Sequence, residues 1–283
     1  TASKWLFEFQ GPVRGGNGMA DPLAYQKTLQ SMYEIAYNAG LGVRLIGDNQ
    51  ITESPEEFAR KHPIMILHSL YVCSDETLEF AREYAAAGGA LIVGPRTGYA
   101  KPDAVIRTET APAILGEVAG VSYSEYSMLA KPERAITHDG ETVGGGWAWF
   151  DELEASDVDT VLRLDHPFFG DFSALSTRRV GNGSISFLAT YPDQQLSTWL
   201  GQHFGSAAGE IIAPQGDSAS VVVNRAVTDD GRQVNFVFNW SWQPTSVNLP
   251  THYVDAESGE HLTPEDTVEL GAWDVRVLVE ETK

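Results

Sequence analysis

One stretch constrains this chain more than any other: Ile64 to Pro95, IMILHSLYVCSDETLEFAREYAAAGGALIVGP. Ile64-Met65-Ile66-Leu67 and Ala90-Leu91-Ile92-Val93 are short apolar runs without polar alternation, the pattern of strands covered on both faces. Between them Ser74 is placed to cap a helix whose Leu78, Ala81, Arg82 and Ala85 share an inner face. Gly88-Gly89 then ends it, because glycine enters the left-handed region without a Cβ clash. A crossover of this length predicts two parallel neighbouring strands joined right-handedly.

The residues before this unit continue its grammar. Lys4 to Phe9 predicts a strand and Gly11 to Asp21 a loop. Asp21 caps a predicted helix with Pro22 at its first position, running to Ala39, with Leu23, Leu29, Met32, Ile35 and Ala36 inward and Gly40 at its end. Val43 to Ile46 reads as a second strand, and Ser54-Pro55-Glu56-Glu57 as a capping box that opens a short helix. Strand and helix alternating in this way predict an open, doubly wound α/β sheet.

After Gly98 the pattern changes. Thr110 to Ala119 predicts a helix ended by Gly120, whereas Val121 to Tyr126, Val158 to Leu164, Leu175 to Val180 and Ile185 to Thr190 predict strands. Val180-Gly181-Asn182-Gly183-Ser184 is a hairpin signal, and Asp193 to Phe204 predicts a closing helix. Gly205 to Asp217 is rich in small residues and separates this region from a stretch with no helical period. There, Ser220 to Val227, Gln233 to Asn239, Thr245 to Leu249, Val268 to Leu270 and Trp273 to Val279 predict strands, with turns at Asp229-Asp230-Gly231 and Glu257-Ser258-Gly259. The expected division is an α/β domain over 1–206 and a small antiparallel β domain over 207–283.

Charge narrows the partners. A net charge of −20 opposes a nucleic-acid or anionic-lipid surface, both of which need a basic footprint. The acids are spread along the chain, as on a solvated, self-repelling surface, and adaptation to salt is the sharper reading of the same excess. No apolar run approaches the ~20 residues that span a bilayer. A single cysteine, Cys73, excludes an internal disulfide and a multi-thiolate metal site. The chain starts at Thr1-Ala2-Ser3-Lys4 with no leader pattern, and its first methionine is Met19. These features lead to the expectation of a cytoplasmic piece of a longer polypeptide.

The central stretch also carries a family resemblance. Leu70 to Glu76, Ala86 to Gly89 and Gly94-Pro95-Arg96-Thr97-Gly98 follow one another, around an apolar strand, as in the trimerisation domain of beta-galactosidases of glycoside hydrolase family 42. The likeness continues through Glu117-Val118-Ala119-Gly120-Val121, and the terminal β region resembles that family's C-terminal domain. It implies a flavodoxin-like or class I glutamine amidotransferase-like domain followed by the β domain. It also implies homotrimer assembly, with the parent's catalytic TIM barrel as partner and retaining hydrolysis of terminal β-D-galactose by the parent enzyme.

The family's acid glutamate follows an asparagine, and none of the eight asparagines here precedes a glutamate. Eight strand–helix pairs need about 250 residues, more than the α/β part offers. Gly11, Gly15, Gly16 and Gly18 fit neither dinucleotide nor Walker spacing, which favours a surface loop. Cys73 follows a strand and precedes a helix, but Tyr71-Val72-Cys73-Ser74-Asp75 lacks the flanking glycines of a nucleophile elbow; a structural thiol is expected. His62 and His68 lie near it without a base's placement, and no histidine pair has metal-ligand spacing. Trp147, Trp149, Phe150, Phe168, Phe169, Trp240 and Trp242 are either core or interface, or a galactoside-stacking surface. No catalytic, cofactor-binding or metal residue is therefore assigned, and no cofactor is expected. A stand-alone carbohydrate-binding protein and an amidotransferase-like enzyme using Cys73 are the alternatives.

Overall fold

The computed structural model describes residues 2–9, 13–14, 18–205, 207, 215–216, 220–228 and 230–281. The chain forms two compact units, one of residues 1–35 with 45–208 and one of 36–44 with 209–283.

The first unit opens with helices α1 (Ala2–Phe9), α2 (Ala24–Tyr37) and α3 (Pro55–Lys61). The unit predicted from the apolar runs follows as β1 (Ile64–Leu67), α4 (Asp75–Ala87) and β2 (Ala90–Val93). β1 and β2 are parallel, with Ile64 opposite Ala90 and Leu67 opposite Val93. Ser74 caps α4 by accepting the Thr77 N–H at 3.2 Å, and Gly88 ends it at φ +126°. β2 is buried along its whole length, whereas β1, at the sheet's edge, is half-buried. Each fully buried aliphatic side chain of such a strand contributes about 1.5–3 kcal/mol.

On α4 the buried face is Leu78, Ala81, Tyr84 and Ala85. Arg82, expected inward, instead pairs with Glu79 at the surface. Tyr84 takes its place because the phenol crosses the core and donates to the His62 carbonyl at 2.7 Å. Its ring lies over Gly89, where an added Cβ would sit 2.2 Å from Tyr84 Cζ.

Beyond β2 lie α5 (Ile114–Ala119), β3 (Val121–Ser122), β4 (Tyr126–Ser127), β5 (Glu133–Thr137), β6 (Thr142–Asp151) and β7 (Glu154–Ala155). Then come β8 (Asp159–Leu164), β9 (Ser173–Val180), β10 (Gly183–Leu188), β11 (Thr190–Pro192) and α6 (Gln194–Gly205). The main sheet runs β1-β2-β10-β9-β8-β5-β6-β11, with β4 on β6. β10 is parallel to β2, and the pairings from β10 to β11 are antiparallel. The fold is thus mixed α/β. Its parallel part among the described residues is β1-β2-β10, narrower than a doubly wound sheet.

Two expected strands account for the difference. Lys4 to Phe9 is helical: Lys4–Glu8 at 3.8 Å and Trp5–Phe9 at 5.3 Å are four-residue pairs that a helix joins and a strand separates. Val43 to Ile46 forms no strand, and Leu45 is 66% exposed, leaving it no face to bury. The expected loop from Gly11 to Asp21 lies partly outside the described residues. On α2, Asp21 accepts the Leu23 N–H at 2.9 Å, and Met32 and Ile35 are buried as expected. Leu23 is exposed, however, and Ala24, Thr28 and Ser31 complete the inner face. α5 starts later than expected because Ala111 is bridged to Tyr123.

The hairpin signal is realised between β9 and β10, where Val180 faces Gly183 and Gly181 takes φ +57°. α6 begins where Asp193 Oδ1 accepts the Leu196 N–H at 2.8 Å. It packs on β6 at Gly144, where a Cβ would lie 2.2 Å from Leu196 N.

The second unit holds β12 (Gln215–Gly216), β13 (Val221–Val227), β14 (Gln233–Asn239), β15 (Thr245–Asn248), β16 (Tyr253–Asp255), β17 (His261–Leu262), β18 (Thr267–Leu270) and β19 (Val275–Glu280). They form antiparallel sheets ordered β12-β15-β18 and β13-β14-β19-β16-β17. Val237, Val247, Leu249, Tyr253, Val268, Leu270 and Leu278 are its core. Residues 36–44 belong to this unit, with Arg225 Nε donating to the Gly40 carbonyl at 3.3 Å.

Candidate functional site

The register of the three parallel strands brings their carboxyl ends together at Leu67, Val93 and Phe187-Leu188. Open α/β sheets place ligand crevices just outside such ends. Here the chain leaves β1 through Ser69 at φ +40° and leaves β2 through Arg96 at φ +63°, backbone that is costly for residues with a Cβ. The end of β6 reaches the same place, since the Asp151 N–H donates to the Ala189 carbonyl at 2.9 Å, just past β10.

A cavity of about 160 Å³ opens there, lined by Tyr71, Arg96, Tyr99, Ile106, Tyr123, Tyr126, Trp149 and Asp151. Arg96 and Asp151 are 3% and 1% exposed. The Arg96 guanidinium lies between the rings of Phe7 and Trp149, 4.3 and 4.4 Å from their centroids, with Tyr71 at 5.1 Å. Stacking of this kind keeps a buried cation among aromatic quadrupoles. Trp149 is covered on its other side by Tyr126 at 4.1 Å, and Tyr71 stacks on Tyr99 at 4.9 Å.

Asp151 is held by two donors: Trp149 Nε1 at 2.8 Å and the Arg96 backbone N–H at 3.2 Å. Burial outweighs these bonds and the guanidinium, and it pushes the carboxyl up to about 7. Near neutrality this group can therefore donate as well as accept a hydrogen bond. Tyr123 is buried, its hydroxyl has no hydrogen-bond partner among the described residues, and burial pushes its pKa far above the usual phenol value. Tyr191 Oη, by contrast, is bonded to Ser69 Oγ at 2.5 Å.

Of the candidates read from sequence, Trp149 lines this cavity, and the others fall elsewhere. Cys73 is buried, with burial pushing its thiol up, so it is held as the neutral thiol rather than the nucleophilic thiolate. Its carbonyl accepts from Arg107 Nη2 at 2.8 Å, and Arg107 also pairs with Asp75. Of the glycines before α2, only Gly18 lies among the described residues. Trp149 and Phe150 are core, and Trp147 Nε1 donates to the Pro192 carbonyl at 2.9 Å. Phe168 is exposed, while Phe169 packs on Phe150 and His166.

Trp240 and Trp242 form a platform with Trp273 at the surface of the second unit. Ring centroids are 5.8 Å apart for Trp240–Trp273 and 5.6 Å for Trp242–Trp273. Beneath them Asn239 donates to the carbonyls of Gln243 and Gly271 at 2.7 Å and accepts from Ser220 and Ser241. One carboxamide thus ties together the turns that carry all three indoles.

Arg96, Asp151 and Tyr123 were not singled out from sequence as a site. Gly94-Pro95-Arg96-Thr97-Gly98 was visible only as a motif. Asp151 ends a strand whose first half, Gly144-Gly145-Gly146, carries no strand propensity.

The chain is 25% identical over 186 residues to a beta-galactosidase of Clostridium cellulovorans, covering 66% of this chain and 26% of that one. It is 23% identical over 257 residues to a beta-galactosidase of an Arthrobacter species, covering 91% and 35%. Among solved structures, the cold-adapted beta-galactosidase of Rahnella sp. R3 superposes with a TM-score of 0.81 at 16% identity, covering 99% of this chain and 40% of that one. A beta-galactosidase of Bacillus circulans superposes at 0.79 and 16% identity, covering 91% and 38%. The chain thus spans only a quarter to two-fifths of the length of these relatives. Residues 2–209 match the beta-galactosidase trimerisation domain of glycoside hydrolase family 42, and the chain belongs to that family.

Proposed function

We propose that this chain is the non-catalytic assembly region of a beta-galactosidase, forming a homotrimer through residues 1–206 and carrying a β domain over 207–283. The observation behind this reading is the match to the trimerisation domain across residues 2–209. The β1-α4-β2 unit is its flavodoxin-like, amidotransferase-like part. The parent enzyme, with a TIM barrel as this region's partner, hydrolyses terminal non-reducing β-D-galactose with retention in the cytoplasm; this chain alone is inactive and holds no catalytic, cofactor or metal residue. Closed three-fold symmetry suits a rigid sheet-and-helix body, since a heterologous contact that closes into a ring leaves no patch unpaired.

Light scattering tests the reading. A mass near three times 30.8 kDa supports it, and a strict monomer at high concentration overturns it. Release of galactose from a chromogenic substrate by the purified chain alone would overturn the non-catalytic part. The amidotransferase alternative is disfavoured by the buried, neutral Cys73 thiol. A second reading, galactoside stacking on the second unit, is favoured by one observation: Trp240, Trp242 and Trp273 are 48%, 78% and 51% exposed while fixed by Asn239.

A further inference from the structure

The cavity at the carboxyl ends of β1, β2 and β10 has the features of a built site. Its position is the crevice that open α/β sheets use for ligands. It holds a buried hydroxyl on Tyr123 without a partner among the described residues, and a buried carboxyl on Asp151. Leaving such a hydroxyl dry and unbonded costs free energy, and a ligand that bonds it recovers that cost. Arg96 is held against it in left-handed backbone, the kind of strain that structures keep where a side chain must be aimed.

The lining selects the ligand. Four phenols, a carboxyl and a guanidinium offer donors and acceptors around aromatic carbon. Above pH 7, where Asp151 is ionised, Arg96 and Asp151 balance each other in charge, so an anion meets Asp151, a cation meets Arg96, and a neutral molecule meets neither penalty. At the roughly 10–15 Å³ that one water-sized sphere needs, 160 Å³ has room for on the order of ten spheres, the scale of one sugar ring. Ile106 and Tyr126, 56% and 45% exposed, form the mouth.

We propose that the cavity lined by Arg96, Tyr123 and Asp151 binds one neutral sugar ring or a polyol of that size. The proposal does not depend on the assembly reading, because it concerns residues within the first unit alone.

Calorimetry on the full chain at pH 8 with galactose, glucose and glycerol as probes, and acetate and phosphate at matched ionic strength as controls, tests it. The expected result is saturable heat with at least one of the neutral probes at millimolar concentration, with a raised melting temperature, and none with the anions. Ile106→Trp, at the exposed mouth, should abolish the heat without lowering stability. Tyr123→Phe, which removes only the unpartnered hydroxyl, should weaken binding by about 5- to 100-fold. Trp242→Ala should leave unchanged the part of the heat that Ile106→Trp removes, which separates this cavity from the tryptophan platform. Heat with the anions alone, no heat with any probe at tens of millimolar, or binding untouched by Ile106→Trp overturns the proposal. A monomeric chain that still binds sugar would sink the assembly reading and leave this one standing.

Discussion

The carboxylate of Asp151 accepts the backbone N–H of Arg96 at 3.2 Å, fixing a residue that sits at φ +63°. A side chain from the end of β6 thereby pins the turn after β2, although the two strands are not neighbours in the sheet. The same carboxylate anchors Trp149, one of the two rings that enclose the Arg96 guanidinium. Asp151→Ala leaves the Arg96 N–H and the Trp149 indole unbonded in a buried place, and is expected to cost about 2–4 kcal/mol. Asp151→Asn keeps one acceptor oxygen and is expected to cost less than half of that. Urea unfolding with unchanged m-values checks both; an alanine variant as stable as the parent chain would remove Asp151 from this role.

The pH dependence has a sign. Asp151 is raised from 3.8 to about 7, so the folded state holds its proton more tightly than the unfolded chain. Its contribution is complete below pH 3.8 and is lost as pH rises towards 7, on the order of 4 kcal/mol in all. His68 acts oppositely: burial lowers it from 6.5 to about 4, so its contribution is complete above pH 6.5 and lost as pH falls. Between pH 4 and 6.5 the two slopes oppose each other. The advantage of the parent chain over Asp151→Asn should therefore shrink and then reverse as pH rises through this window, and the gap for His68→Asn should widen. Urea midpoints at pH 4.5, 5.5 and 6.5 decide it, and parallel curves would contradict both assignments.

Much of the framework could be read from residue pattern alone. The apolar runs at Ile64 and Ala90, the Ser74 cap and the Gly181-Asn182 hairpin are local signals, each satisfied by its own neighbours in sequence. Lys4 to Phe9 was misread because a run as apolar as Trp5-Leu6-Phe7 satisfies strand and helix equally, and the deciding pairs lie four residues apart. Thr142–Asp151 is hidden for a different reason: Gly144-Gly145-Gly146 has no side-chain signature, and Gly144 lies where α6 approaches. The cavity was illegible because Tyr71, Arg96, Tyr123 and Asp151 converge only through long-range pairing.

Cys73 should be chemically silent. Its thiol is 2% exposed, and burial pushes its pKa up, so both access and thiolate fraction are low at neutral pH. Iodoacetamide at pH 7 is expected to label it only in denaturant, with at least a hundredfold slower reaction in the folded chain. Mass spectrometry after timed alkylation reads this directly. Stoichiometric labelling within minutes in the native state would revive the nucleophile reading.

Close backbone approach makes Gly89 and Gly183 intolerant. A Cβ on Gly89 would enter the Tyr84 ring at 2.2 Å, and one on Gly183 would lie 2.3 Å from the Gly89 carbonyl oxygen. Tyr84 cannot swing aside without giving up its bond to the His62 carbonyl. Gly89→Ala and Gly183→Ala are each expected to cost at least about 2 kcal/mol. Gly140→Ala is the control, since open space surrounds that position and only its φ of +83° opposes the change, for about 1 kcal/mol. Thermal midpoints ordering the three variants otherwise would show that the turn joining α4 to β2 yields more readily than its contacts imply.

The tryptophan platform separates support from surface. Trp242 is 78% exposed, so Trp242→Ala removes little buried area and should shift stability by less than about 0.5 kcal/mol. Asn239 is fully buried and makes four hydrogen bonds to the turns beneath, so Asn239→Ala should cost about 3 kcal/mol or more. If the platform stacks on galactosides, Trp242→Ala should abolish galactose quenching of indole fluorescence while leaving the mass by light scattering unchanged. If it instead seats another protein surface, quenching is absent in the parent chain and the substitution lowers the assembled mass. The two readings thus exchange outcomes in a single pair of measurements on one variant that folds normally.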